Sequence, residues 1–222
     1  HTRLRTVTGV QTCALPICGL PDSVALDGAA FLAHGEELFR RLPVRRVRLR
    51  EASRVIASLA ACPFLAHIRE LDLCNNDLGN GGVNMLFRSQ HLSAVEFLDL
   101  GFNGLDDAGV RTLAAAGTVP QLCVLHLNDN DRVSRNGAKA LAASPGLKEL
   151  HTLDLSGNDV DDVGLQAILG SLAQLRTLRL ASNRIGDGGV AALAESAVLG
   201  RMVEREPRLD LRQNAISPAG AE

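Results

Sequence analysis

The nine residues Ile68-Arg69-Glu70-Leu71-Asp72-Leu73-Cys74-Asn75-Asn76 decide the fold of this 222-residue chain. Apolar residues stand at the first, fourth and sixth places, and an asparagine follows three residues after the last leucine. The pattern recurs as Val95, Leu98, Leu100 and Asn103, then as Leu122, Leu125, Leu127 and Asn130. It returns as Leu150, Leu153, Leu155 and Asn158, and as Leu175, Leu178, Leu180 and Asn183. Leu209 and Leu211 with Asn214 form a degenerate last copy. Val44, Val47 and Leu49 form a degenerate first copy, with Ala52 in place of the asparagine. The asparagines lie 27, 27, 28, 25 and 31 residues apart. A motif repeated at a period in the twenties marks a chain of stacked, self-similar units, each packing only on its neighbours.

Within each copy the leucines alternate with polar residues, which is the period of a strand. An apolar residue follows each of five asparagines: Leu78, Leu105, Val133, Val160 and Ile185. Then comes a glycine step with apolar residues three apart, as in Gly82-Val83-Leu86 and Gly164-Leu165-Ile168, which is one face of a helix. Asn80, Asp107, Asp162 and Asp187 stand two residues before these glycines and are expected as helix N-caps, with Arg135 breaking the series. Each unit therefore reads as strand, turn and helix. Stacked units predict an α/β solenoid with a parallel inner sheet and outer helices. Val24 to Leu42 reads as an amphipathic helix ended by Pro43, so residues 18–43 are expected to cap the open end of the first strand.

The asparagine has a physical task. Backbone groups at a sharp turn after a short strand lack ladder partners, and leaving them buried and unpaired is costly. An amide carries two donors and an acceptor. Asn76, Asn103, Asn130, Asn158, Asn183 and Asn214 are therefore expected to form a structural ladder between turns.

Over residues 44–222 the repeat resembles the ribonuclease-inhibitor type of leucine-rich repeat. The runs AAFLAHGEELFRRLPVRRVRLREA (29–52) and LAACPFLAHIRELDL (59–73) are also similar to bacterial leucine-rich proteins with a small repeat-companion domain upstream. That resemblance implies a cytosolic bacterial scaffold and brings no catalytic residues. The companion domain itself is expected to be missing.

Residues 1–17, HTRLRTVTGVQTCALPI, fit no repeat and resemble the translation of a sequencing adapter. The alternative is an Arg- and Thr-rich leader without acidic residues. At the other end Ile216 to Gly220 stands in phase with Ile185 to Gly189, so the array is expected to stop inside a repeat.

Composition narrows the function. Six Phe, no Trp and no Tyr leave a core of Leu, Val, Ile and Ala. A formal charge of −2 gives no bulk attraction to nucleic acid or anionic membrane. No apolar run approaches the roughly 20 residues that a membrane helix needs. Five cysteines, an odd count without C-x-x-C spacing, suggest reduced cytoplasmic thiols.

Since the leucines and asparagines are structural, recognition must lie in the variable residues on the concave sheet face. The candidates are Arg46, Arg48, Glu70, Asp72, Glu96, Phe97, Asp99, Phe102, His126, Asp154, Arg179 and Arg208. They give basic outer strands around an acidic middle, an arrangement able to orient a charged partner. The competing reading is a solvated face whose aspartates follow a Leu-Asp-Leu habit. Phe97 and Phe102 are either interface anchors, or one of them folds into the core rim. His126 between Asp99 and Asp154 is either a surface ion pair or part of a weak metal site.

No G-x-S-x-G, H-E-x-x-H or phosphate-cradling G-x-x-x-x-G-K occurs, so neither catalysis nor a cofactor or metal is expected. Six arginines between 40 and 50 could contact phosphate, but Glu36, Glu37 and Glu51 flank them and stacking aromatics are absent. The expected function is a non-catalytic protein-interaction scaffold with a protein partner. The alternative is the recognition arm of a larger multidomain enzyme.

Overall fold

The computed structural model describes residues 22–130, 132–202 and 209–218. The adapter-like stretch 1–17, Arg208 and the end of the last repeat lie outside them.

Among the described residues, eight parallel strands form one sheet in strict chain order, β1 to β8. They are β1 (Ser23–Asp27), β2 (Arg46–Arg50), β3 (Glu70–Asp72), β4 (Phe97–Asp99), β5 (Val124–His126), β6 (Thr152–Asp154), β7 (Thr177–Arg179) and β8 (Leu209–Asp210). Between them run α1 (Gly28–Arg41), α2 (Ile56–Ala60), α3 (Gly79–Leu86), α4 (Asp107–Ala115), α5 (Arg135–Ala143), α6 (Asp162–Ser171), α7 (Asp187–Ala194) and α8 (Ala197–Met202). The register aligns the central leucines Leu71, Leu98, Leu125 and Leu153, and Leu178 continues the row. They are fully buried, together with Leu73, Leu100, Leu127, Leu155 and Leu180 and the helix residues Val83, Val110, Leu141 and Ile168. Strands sit about 4.8 Å apart and packed helices 8–10 Å apart. That difference in spacing favours wedge-shaped units with the sheet on the inner side of a curve.

The N-terminal expectation needs correction. Val24 and Leu26 are buried while Ser23, Ala25 and Asp27 are not, and this alternation makes β1 a strand rather than the start of a helix. Helix α1 begins only at Gly28. A Cβ at Gly28 would lie 2.8 Å from Val55 Cγ2, so the helix packs at close range there. Farther along, Phe39 stacks on Phe64 with ring centroids 5.7 Å apart. Residues 22–41 therefore add an eighth strand and its helix to the array.

The asparagine ladder is continuous in the middle of the chain. Asn103 Oδ1 accepts from the N–H groups of Asn76 (3.2 Å) and Leu78 (3.1 Å), and its Nδ2 donates to Leu73 O (2.9 Å). Asn130 repeats this with Asn103 N–H, Leu105 N–H and Leu100 O. The ladder breaks at Asn158, whose buried Oδ1 has no partner among the described residues. Asn130-Asp131-Arg132-Val133 carries one residue more than Asn103-Gly104-Leu105. The Arg132 N–H turns back to Asn130 O (2.7 Å) instead of reaching the next repeat.

A second ladder replaces the expected caps. The N-caps of α4, α5 and α6 are Asp106, Ser134 and Asp161, one residue earlier than the spacing implied. Asn80, Asp107, Asp162 and Asp187 instead reach forward to the following repeat. Asp107 Oδ1 accepts from Ser134 N–H (2.8 Å) and Gly137 N–H (2.9 Å), while Ser134 Oγ donates to Oδ2 (2.7 Å). Asp162 Oδ1 accepts from Gly186 N–H (2.6 Å). A Cβ on Gly137 would stand 2.8 Å from Asp107 Oδ1, so the residue receiving this contact is glycine. Where Arg135 interrupts the series, its guanidinium pairs forward with Asp161.

The concave sheet face as candidate functional site

Each three-residue strand turns its two outer residues away from the buried leucine. Two columns of variable side chains therefore run across the sheet. The first holds Arg46, Glu70, Phe97, Val124, Thr152 and Thr177, and the second Arg48, Asp72, Asp99, His126, Asp154 and Arg179. The structure thus brings together all the predicted concave residues except Glu96 and Phe102, which flank the columns, and Arg208, which is not described.

The aspartates of the second column serve their own turns. Oδ1 of Asp72, Asp99 and Asp154 accepts from the N–H two residues on, at Cys74 (2.9 Å), Gly101 (2.9 Å) and Ser156 (3.0 Å). This is the local side-chain turn that Asp favours, and it gives the Leu-Asp-Leu habit a physical cause. The second oxygen looks sideways. Asp72 faces Arg48 Nε at 3.3 Å, Asp99 faces His126 Nδ1 at 3.4 Å, and Asp154 faces Arg179 Nη1 at 3.5 Å. Burial pushes the Asp72 carboxyl above its ordinary range, opposed by the Cys74 N–H and Arg48. Burial likewise raises Glu70, opposed by Arg46.

The arginine-rich strand β2 is equally engaged. Arg46 grips buried Asp22 with both carboxylate oxygens at 2.7 and 2.8 Å, and Arg50 Nε lies 3.4 Å from Asp27. Arg69 pairs with Glu96. The blocks of charge seen in the sequence are therefore largely cross-linked between neighbouring strands. Arg48, Arg50, Glu51, Asp27, Cys74 and Asn75 line an open cleft of about 480 Å³ at the end of β1–β3.

The two phenylalanines part company. Phe97 is half-buried and meets the His126 ring edge-on, with centroids 5.1 Å apart. Phe102 is 52% exposed. It occupies the residue before the ladder asparagine, which is left-handed in every unit from Glu51 to Gln213, with φ between 51° and 64°. Sequence reading missed that shared conformation because Glu51, Asn75, Phe102, Asp129, Gly157, Ser182 and Gln213 share no one residue type.

Chemically, the face offers ion pairs and turn caps. Burial pushes the Cys74 and Cys123 thiols upward, away from the reactive thiolate. Among the described residues, no group of three or more His, Cys, Asp or Glu side chains is placed to hold a metal ion. Nor is any helix among them long and apolar enough to cross a membrane.

A family model described as Leucine Rich repeat matches residues 64–87, 91–114, 148–169 and 173–194. Each stretch carries or leads into a strand of the array: β3, β4, β6 and β7. No curated protein matches the chain. Repeats of this kind are in general protein-interaction modules and are typically non-catalytic. The chain carries leucine-rich repeats and folds as a leucine-rich-repeat α/β solenoid.

Proposed function

We propose that the chain is a non-catalytic scaffold that binds a protein partner through its concave sheet face. One observation carries this reading. The leucines and ladder asparagines are consumed inside the solenoid, while two uninterrupted columns of variable side chains lie in register across six strands. A rigid parallel sheet holds such side chains at fixed spacing, so ordering them on binding costs little further entropy. Helices of eight to ten residues after three-residue strands, as in α3 to α6, also support the ribonuclease-inhibitor-like type of repeat. The arginines of β2 are matched by Asp22, Asp27 and Asp72, which favours a protein partner over a phosphate backbone.

The test keeps the turns intact. Asp72→Asn, Asp99→Asn and Asp154→Asn together remove charge but retain an acceptor for each turn. Arg111→Gln with Lys139→Gln changes exposed side chains on the helix side. Partner capture from a lysate of the source cells should fall with the sheet-face triple and survive the helix-side pair. The opposite pattern would place recognition on the helices and overturn the proposal.

A further inference from the structure

The left-handed residue before each ladder asparagine forms a line along the rim of the sheet. Backbone hydrogen bonds stack these turns: Asn75 N–H to Gly101 O (2.9 Å), Phe102 N–H to Asn128 O (3.0 Å) and Asp129 N–H to Ser156 O (2.8 Å). Six of the seven rim residues are polar, charged or glycine. Those types suit both an αL backbone and contact with water. Phe102 suits neither. Its ring costs free energy twice, through the left-handed backbone and through its 52% exposure. It stabilises no core, and the same fold position is filled by Asn75 one repeat earlier.

Its surroundings select a partner. On the sheet face and rim, Asp22, Asp27, Glu51, Glu70, Asp72, Glu96, Asp154 and Asp210 each face an arginine. Among the described residues of that surface, Asp99 and Asp129 are the carboxylates without one. Asp99 has only His126 and the Gly101 N–H, and Asp129 has only the Asn128 amide. These two bracket Phe102, one three residues before it on the same turn and one at the next rim position. Between them Gly101 presents no side chain, because a Cβ there would stand 2.7 Å from Asn128 Oδ1. The Asn128 amide covers the Gly101 backbone beside the ring and donates onward to Asp129 Oδ2.

We infer that Phe102, Asp99 and Asp129 form a docking point for an arginine side chain of a partner protein. The arginine stem and guanidinium plane lie on the phenyl ring, and the guanidinium N–H groups donate to the two carboxylates. Guanidinium groups stack on aromatic faces and bind carboxylates through a planar fork, a combination that a lysine point charge does not reproduce. This rests on the concave-face reading above and names the chemistry of its partner.

A displayed library of random twelve-residue peptides, selected on the purified chain, supplies the probe. Selected peptides should be enriched in arginine. Substituting that arginine by lysine should weaken a chosen peptide, and Phe102→Asn or Asp129→Asn should weaken it roughly tenfold or more, as at an interface hot spot. Phe102→Asn should at the same time raise the melting midpoint of the free protein, whereas a phenylalanine with a structural role would lower it. Selected peptides without arginine that still lose affinity on the Asp72→Asn, Asp154→Asn pair would overturn this inference and leave concave binding standing. Peptides indifferent to Phe102, Asp129 and that pair alike would overturn both.

Discussion

Replacing Asn130 by alanine tests the ladder at its most enclosed point. The side chain is 1% exposed. Its Oδ1 accepts from Asn103 N–H at 3.1 Å and Leu105 N–H at 3.0 Å, and its Nδ2 donates to Leu100 O at 3.1 Å and Leu127 O at 2.9 Å. Leu127 O keeps a second donor, Asn158 Nδ2 at 2.9 Å, and Asn128 O keeps Phe102 N–H. Truncation therefore strips three buried backbone groups of these partners: Asn103 N–H, Leu105 N–H and Leu100 O. Each unsatisfied group costs about 1–3 kcal/mol, so the variant should lose about 3–5 kcal/mol once some water entry is allowed. With a urea slope of about 2 kcal/mol/M, the midpoint should fall by about 1.5–2.5 M. Asn214→Ala is the internal control. Asn214 makes three of the four corresponding contacts, to Leu180 O, Leu211 O and Ile185 N–H, at a partly exposed turn where water can replace the amide. Its loss should cost about 1 kcal/mol. Urea unfolding followed by circular dichroism measures both. Because repeat stability is a sum of neighbour terms, the Asn130 variant should also unfold less cooperatively. Equal losses for the two variants would refute the reasoning, since it ties the larger loss to the greater number of enclosed backbone groups that depend on Asn130.

Two further outcomes follow from single positions. Gly157 and Gly104 share nearly the same left-handed backbone, φ 64° and 65°, but a Cβ on Gly157 would press on the Asp129 carboxylate while Gly104 has open space. Gly104→Ala should cost about 1 kcal/mol and Gly157→Ala clearly more, about 2–3 kcal/mol; thermal melts that rank them the other way would contradict the packing. The N–H of Ala108, donated to Asp106 at the start of α4, holds the Asp106 carboxyl below its ordinary value. A lowered carboxylate pKa stabilises the fold above the unfolded-state value and loses that contribution as pH falls through the folded one. Asp106→Ala should therefore cost about 1 kcal/mol at neutral pH and almost nothing well below pH 3. A loss that persists in acid would assign the effect to packing rather than charge.

The solenoid was legible because its interactions are local in a special sense. Every strand pair, ladder asparagine and helix contact joins residues one repeat apart, so the period in the sequence is also the period of the hydrogen bonds. Leucine spacing set the strands, glycine spacing the helices, and the asparagine the turns. β1 escaped because Val24 and Leu26 alternate over only five residues and no asparagine follows. The helix caps slipped by one place because Asp106-Asp107 and Asp161-Asp162 are paired acids, and only the path of the backbone decides which of the two caps its own helix.

The candidate site was less legible. The sequence set His126 between Asp99 and Asp154, and the strand register holds the three in that order. It could not tell which charges meet. Whether Arg48 stands free or lies 3.3 Å from Asp72 depends on register between chains of atoms 24 residues apart. That register turns apparent blocks of charge into matched pairs and, among the described residues, leaves Asp99 and Asp129 without an arginine. By itself, then, the sequence determined the repeat, the buried leucines and the order of the strands, because these follow from periodicity. Only the tertiary structure decided how the surface charges pair and that Phe102, in a left-handed turn, stands in solvent while Phe97 lies half-buried against His126. Those outcomes depend on backbone conformation and on distances between repeats, which periodicity does not specify.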